Sequence, residues 1–142
     1  MFYTINIKSK DNEEIIFGKN DSEKDVITDV NVILDTIDDN VRQKSNIMQA
    51  KVTIKGKIAK EIMPELIKIF NWSKDADKEK WYRSLEIKIF ESEGSVIRKY
   101  NFEQMFVVDY FEFYNVEGNN KDDRFELKLT QLENNFKTIV TY

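Results

Sequence analysis

A chain of 142 residues without cysteine or histidine cannot build thiolate nucleophiles, disulfides, Cys/His zinc sites or a Ser-His-Asp triad. Its hydrophobic share of 41%, with ten Phe, six Tyr and two Trp, is ample for one folded domain with a genuine core. A net charge of −4 argues against a general nucleic-acid binder, because phosphate contacts require clustered lysine and arginine.

The first fourteen residues carry Lys8, Lys10, Asp11, Glu13 and Glu14 and so form no apolar signal core, and no later apolar run reaches membrane-spanning length. A soluble protein, assembled in the cytoplasm and not inserted in a membrane, is expected. Four Gly and one Pro leave little room for a flexible linker, so residues 1–142 are read as one domain. Tyr3, Ile5 and Ile7 alternate as in a half-buried strand, and after the turn-like Asp11-Asn12 the run Glu14 to Phe17 returns. This predicts an opening hairpin. Asn20 to Asp25 reads as loop, and the β-branched stretch from Ile27 to Ile37 as a further strand. Asp38 to Asn46 is a long polar connection in which Val41 stands among charges such as Arg42, with Ile47 and Met48 just beyond it. Long loops inside a domain are often functional.

Val52 and Ile54 alternate with Lys51, Thr53 and Lys55 in a short strand that ends at Gly56. Ile58, Ile62, Leu66, Ile69 and Phe70 then recur at helical spacing, which predicts a helix over about residues 60–72 with Pro64 near its first turn. Trp72 is expected to cap the core. Leu85, Ile87 and Ile89, the turn at Gly94, and Val96 to Phe102 read as a second hairpin. Met105 to Tyr114 is apolar or aromatic on both parities except at Asp109 and Glu112, which predicts a strand covered on both faces, one side being an interface that includes Phe106 and Tyr110. A turn from Glu117 to Asp123 leads to Phe125, Leu127, Leu129 and Leu132 and to a closing strand from Lys137 to Tyr142. The expected class is mainly β, a small antiparallel barrel or sandwich with one flanking helix.

No chemistry stands out. Asp35, Asp38 and Asp39 lack the alternating spacing, the glycine and the distal glutamate of a calcium loop. Gly18, Gly56, Gly94 and Gly118 are isolated and start no phosphate-binding pattern, and Ser9-Lys10 and Ser73-Lys74 are adjacent pairs without a shared face. Asp109 reads as an outward or salt-bridged strand residue. No enzyme activity, cofactor or metal is expected. Charge is unevenly placed: Lys51 to Arg83 holds nine basic and five acidic residues, while the flanking stretches are each acidic.

From Lys51 onward, the order of elements resembles the haemolysin-coregulated-protein and contractile-phage tail-tube family. The resemblance covers about two-thirds of the chain and rests on Thr53-Ile54-Lys55 before the helix, on Glu126 and Leu127 in the late strand, and on the short closing strand. Residues 1–50 follow the family only loosely, and the dense run of small residues usual in its extended loop is missing. The resemblance implies a barrel with one flanking helix, six copies in a ring, and rings stacked into a tube beside sheath or baseplate proteins. It would act in a phage tail, bacteriocin or secretion particle by self-assembly, with residues 38–49, anchored by Ile47 and Met48, touching the next ring. The alternatives are a baseplate or tube-initiating protein of the same machine, or a free cytoplasmic binding barrel.

Overall fold

The computed structural model describes residues 1–19, 23, 25–36, 48–115, 122–131 and 140–141. The opening hairpin is present: β1 (Phe2–Lys8) pairs antiparallel with β2 (Glu14–Phe17), placing Ile5 opposite Phe17 and Ile7 opposite Ile15. Its turn puts Asn12 at a positive φ of 66°, a left-handed conformation that asparagine tolerates. A second antiparallel pair follows, β3 (Ile27–Thr36) with β4 (Met48–Lys57). β4 begins three residues before the alternation of Val52 and Ile54 announced it; ahead of Val52 its buried position is taken by the small Ala50. Met48 and Gln49, expected in the connecting loop, therefore lie in the ladder opposite Thr36 and Asp35.

The second half supplies β5 (Arg83–Phe90), β6 (Val96–Phe113), β7 (Arg124–Gln131) and the two-residue β8 (Val140–Thr141). Hydrogen bonding joins the strands in the order β2-β1-β5-β6-β7-β4-β3, and β8 pairs with β6 off this path. β6 serves both halves of the sheet. Its Tyr100 and Asn101 pair with Ile87 and Glu86 of β5 on one side and with β8 on the other, so β8 continues the side occupied by β7.

The sheet curls over one core without closing into a continuous ladder, which leaves β2 and β3 as its ends among the described residues. Phe17 of β2 and Phe125 of β7, distant in strand order, stack across the interior with ring centroids 5.4 Å apart. Strict alternation fills that interior: Val52 and Ile54 of β4 and Phe125, Leu127 and Leu129 of β7 are buried, while the lysines between them face out. Gly56 is needed for close approach, since a Cβ there would lie 2.5 Å from the Phe125 ring.

Helix α1 (Met63–Ser73) follows a single 3-10 turn over Lys60–Ile62, with Pro64 in its first turn where the missing N–H costs nothing. Leu66, Ile69 and Trp72 point into the core, and the Trp72 Nε1 donates to the Trp81 carbonyl at 2.8 Å. The helix also shields the β2 edge. Glu65 Oε2 accepts the outward N–H of Ile16 at 3.1 Å, and Lys68 Nζ donates to the Glu14 carbonyl at 3.1 Å. Exposed strand edges invite pairing with other chains, and here side chains occupy the edge groups. Glu65→Ala strands the half-buried Ile16 N–H and lowers stability by about 1–3 kcal/mol. A lower urea midpoint at unchanged m-value is the expected reading, with Glu65→Gln retaining most of the midpoint.

β6 departs from simple alternation at three places: at its start, where Ile97 is extra between the partners of Phe90 and Ile89 of β5, and at two places further along its run. Between Phe102 and Met105 it holds two residues where β5 holds only Ser84, and at Val108 it inserts one residue between partners Leu129 and Lys128 of β7. Each extra residue moves the apolar set to the other parity. The core side is thus Tyr100 and Phe102, then Met105 and Val107, then Tyr110 and Glu112. The apolar run on both parities reflects these phase shifts as well as exposed rings: Val108, Phe111, Phe113 and Tyr114 face outward, so the strand is not covered on both faces within the chain.

Candidate assembly surface

β3, β4, β7 and the second half of β6 form a four-stranded face whose outer side is polar. β4 contributes Lys51, Thr53, Lys55 and Lys57, and β7 contributes Arg124, Glu126, Lys128 and Thr130. Acidic neighbours balance them across the strands: Lys51 Nζ lies 2.8 Å from Asp35, Asp29 is paired in register with Lys55, and Asp109 with Lys128. This is a mixed-charge surface with an open depression of about 350 Å³ bordered by Asp29, Thr53, Lys55, Glu126 and Lys128.

Both ends of this face are open. β3 pairs only with β4 among the described residues, and β6 beyond Met105 pairs only with β7. The first two positions past Met105, Phe106 and Val107, line a pocket with Trp72, Lys74 and Trp81, and among the described residues the edge from Val108 to Phe113 has no second partner strand. Exposed apolar side chains sit at these ends. Ile33 and Leu34 on β3 are 51% and 56% exposed, and Val108 on β6 is 56% exposed, followed by Phe111 and Phe113. The Arg124 guanidinium lies 4.3 Å over the Phe113 ring.

Of the residues expected at an interface, Val41, Arg42 and Ile47 lie outside the described residues, and Met48 is at the start of β4. Phe106 is on the outer side but half-buried, edge-on to Tyr82 at 6.0 Å. Tyr110 is on the core side opposite Leu127. Burial first, and then the Glu112 carboxylate, push its phenol far above the ordinary value of 10.0, and the same causes raise Tyr114, whose hydroxyl donates to Glu112 at 3.2 Å. The exposed apolar residues at these ends, Ile33, Leu34, Val108 and Phe111, are not among those the sequence pointed to. The run Val32-Ile33-Leu34 carried a signal, since three consecutive apolar residues in a strand force at least one outward.

A cleft of about 490 Å³ between the β1–β2 turn and the end of α1 contains Lys68, Trp72, Tyr82 and Arg83. Two of its charged residues meet, the Arg83 Nη1 lying 3.1 Å from Glu13, and the Arg83 guanidinium lies 5.0 Å over Trp72. Among the described residues, no group of three carboxylates converges to hold a metal ion, and no helix is long and apolar enough to cross a membrane.

Neither a family model nor a curated protein matches the sequence. Solved structures do. Hcp1 from E. coli EAEC 042 superposes with a TM-score of 0.63 at 11% identity, covering 100% of this chain and 98% of that one. Hcp1 from Salmonella typhimurium gives 0.57 at 12% identity over 91% and 81% of the two chains. A chain of the PVC extracellular contractile injection system, in its sheath-tube complex, gives 0.53 at 11% identity over 97% and 87%. The chain has the Hcp fold. At 9–12% identity the likeness is one of fold, and the side chains on the four-stranded face are this protein's own.

Proposed function

We propose that the protein is a structural, self-assembling component of a contractile tail-like or secretion machine, forming rings that stack into a tube. One observation carries the reading: the four-stranded face ends in two different unpaired edges, β3 and the second half of β6. Joining the β3 edge of one copy to the β6 edge of the next uses two distinct surfaces, so addition continues until the rotation closes a ring. Closure would pair every exposed edge and bury Ile33, Leu34, Val108 and Phe111. The Hcp fold and its occurrence in a sheath-tube complex support this role, with sheath or baseplate proteins as further partners.

The reading assigns no catalytic step and no cofactor, and it places assembly in the cytoplasm. Residues 38–49, with Val41, Arg42, Ile47 and Met48, are assigned to contact between successive rings; residues 38–47 lie in sequence between β3 and β4, and Met48 and Gln49 open β4. A likeness to a chain of the anti-feeding prophage baseplate, TM-score 0.52, favours as second reading a ring that initiates or ends a tube. The test is light scattering across concentrations with negative-stain electron microscopy. Wild-type protein forms rings and tubes, and the pair Ile47→Glu and Met48→Glu yields rings that no longer stack. Unchanged tubes from that variant would remove these residues from the inter-ring contact.

A further inference from the structure

We infer that the bulge at Glu103-Gln104, held by the buried side chain of Gln131, is the joint that aims the open half of β6, and that Gln131 is a positioning residue for the assembly edge. The inference rests on the reading that this edge joins a neighbouring copy. β6 changes partners at Met105, which is paired in register with Arg83 of β5 on one side and with Gln131 of β7 on the other. Immediately before that point the strand carries its extra residue, and Gln104 sits at a φ of 55°. A left-handed conformation is rare for a residue other than glycine and persists only where the surroundings impose it.

Gln131 supplies that constraint. It is the one fully buried polar side chain among the described residues, at 0% exposed, on a strand whose other inward positions are Phe125, Leu127 and Leu129. A leucine or methionine at this place would continue the apolar row, so packing alone does not call for an amide. Its Nε2 donates to the Glu103 carbonyl at 3.1 Å, satisfying a backbone group that the bulge turns out of the β5 ladder. The Gln131 carbonyl in turn accepts from Gln49 Nε2 at 3.3 Å, which ties the corner to the start of β4. Bulges bend a strand and increase its local twist, so fixing this one fixes the angle at which residues 106–113 leave the β5 half of the sheet. The direction of one assembly edge relative to the other follows from that angle.

Gln131→Met tests the joint, because it keeps volume and removes the donor. The expected result is a folded protein with an unchanged far-UV spectrum, with amide exchange of residues 104–113 faster by about tenfold or more and that of Leu85 to Ile87 unchanged. Ring formation by light scattering shifts to higher concentration by a similar factor. Gln104→Val, a side chain that does not accept the conformation, reproduces this pattern, while Gln104→Gly, which accepts it, retains wild-type exchange and assembly. Uniformly faster exchange throughout the chain, or local exchange and assembly both unchanged in Gln131→Met and Gln104→Val, would overturn the inference. Wild-type protein that never assembles would count against the ring reading instead, and the exchange measurement would still judge the joint.

Discussion

Replacing Phe125 with alanine lowers the free energy of unfolding by about 3–5 kcal/mol, the range for a large aromatic deleted from a close-packed core. Phe125 is 1% exposed, stacks on Phe17 of β2, and lies under Gly56 of β4. It therefore connects the first hairpin to the four-stranded face across the fold of the sheet. The backbone around Gly56 is held in the β4 ladder and cannot collapse inward far enough to fill the void, which places the expected cost in the upper part of that range. Equilibrium urea unfolding checks it. A loss below about 1 kcal/mol would mean that the two halves of the sheet do not share one core.

The pair Ile33→Glu and Leu34→Glu leaves the monomer's stability nearly unchanged and abolishes assembly. Both side chains are more than half exposed, so their replacement removes little buried area, and surface substitutions of this kind usually shift stability by about 0.5 kcal/mol or less. At the edge their effect is different. β3 already carries Asp29 and Asp35, and the β6 edge carries Asp109 and Glu112, so two further carboxylates bring like charges together in a joined interface. Like-charge juxtaposition costs several kcal/mol, which weakens association by more than about a hundredfold. Sedimentation or light scattering gives the association, and a thermal melt of the same sample gives the stability. Assembly at wild-type concentration would move the contact away from β3.

Where periodicity was clean, the sequence was readable. Tyr3 to Ile7, Leu85 to Ile89 and Phe125 to Leu129 alternate strictly and form β1, β5 and β7, and the recurrence of Ile62, Leu66 and Ile69 marks the buried stripe of α1. The start of β4 was hidden by Ala50, a residue too small to announce a buried position. In β6 the failure had another cause. Its extra residues, at Ile97, at Glu103-Gln104 and at Val108, each reverse the parity, and a bulge held by Gln131 from a different strand leaves no local mark on the residues around Gln104. The exposed surface of β6 was legible only in part. Phe106 and Tyr110 stand out in the sequence as aromatics on a strand apolar on both parities; contacts with Tyr82 and the core half-bury them, and the exposed apolar residues are Val108, Phe111 and Phe113. Which strand ends stay unpaired depends on the order β2-β1-β5-β6-β7-β4-β3, a long-range property that no window of sequence contains.

The role of Glu65 and Lys68 bears on the same point. One end of the sheet is blocked from within the chain by α1, which occupies the outward groups of β2, while β3 has no such cover among the described residues. The proposed ring would use the two edges that lack a second partner strand among the described residues, β3 and the second half of β6, and such a pair of distinct edges would give growth a direction.

Size-exclusion chromatography with light scattering over a wide concentration range, with negative-stain microscopy of any large fraction, shows whether copies of this chain join. Closed rings that appear as concentration rises and stack into tubes are expected. A strict monomer at the highest attainable concentration would contradict the assembly reading.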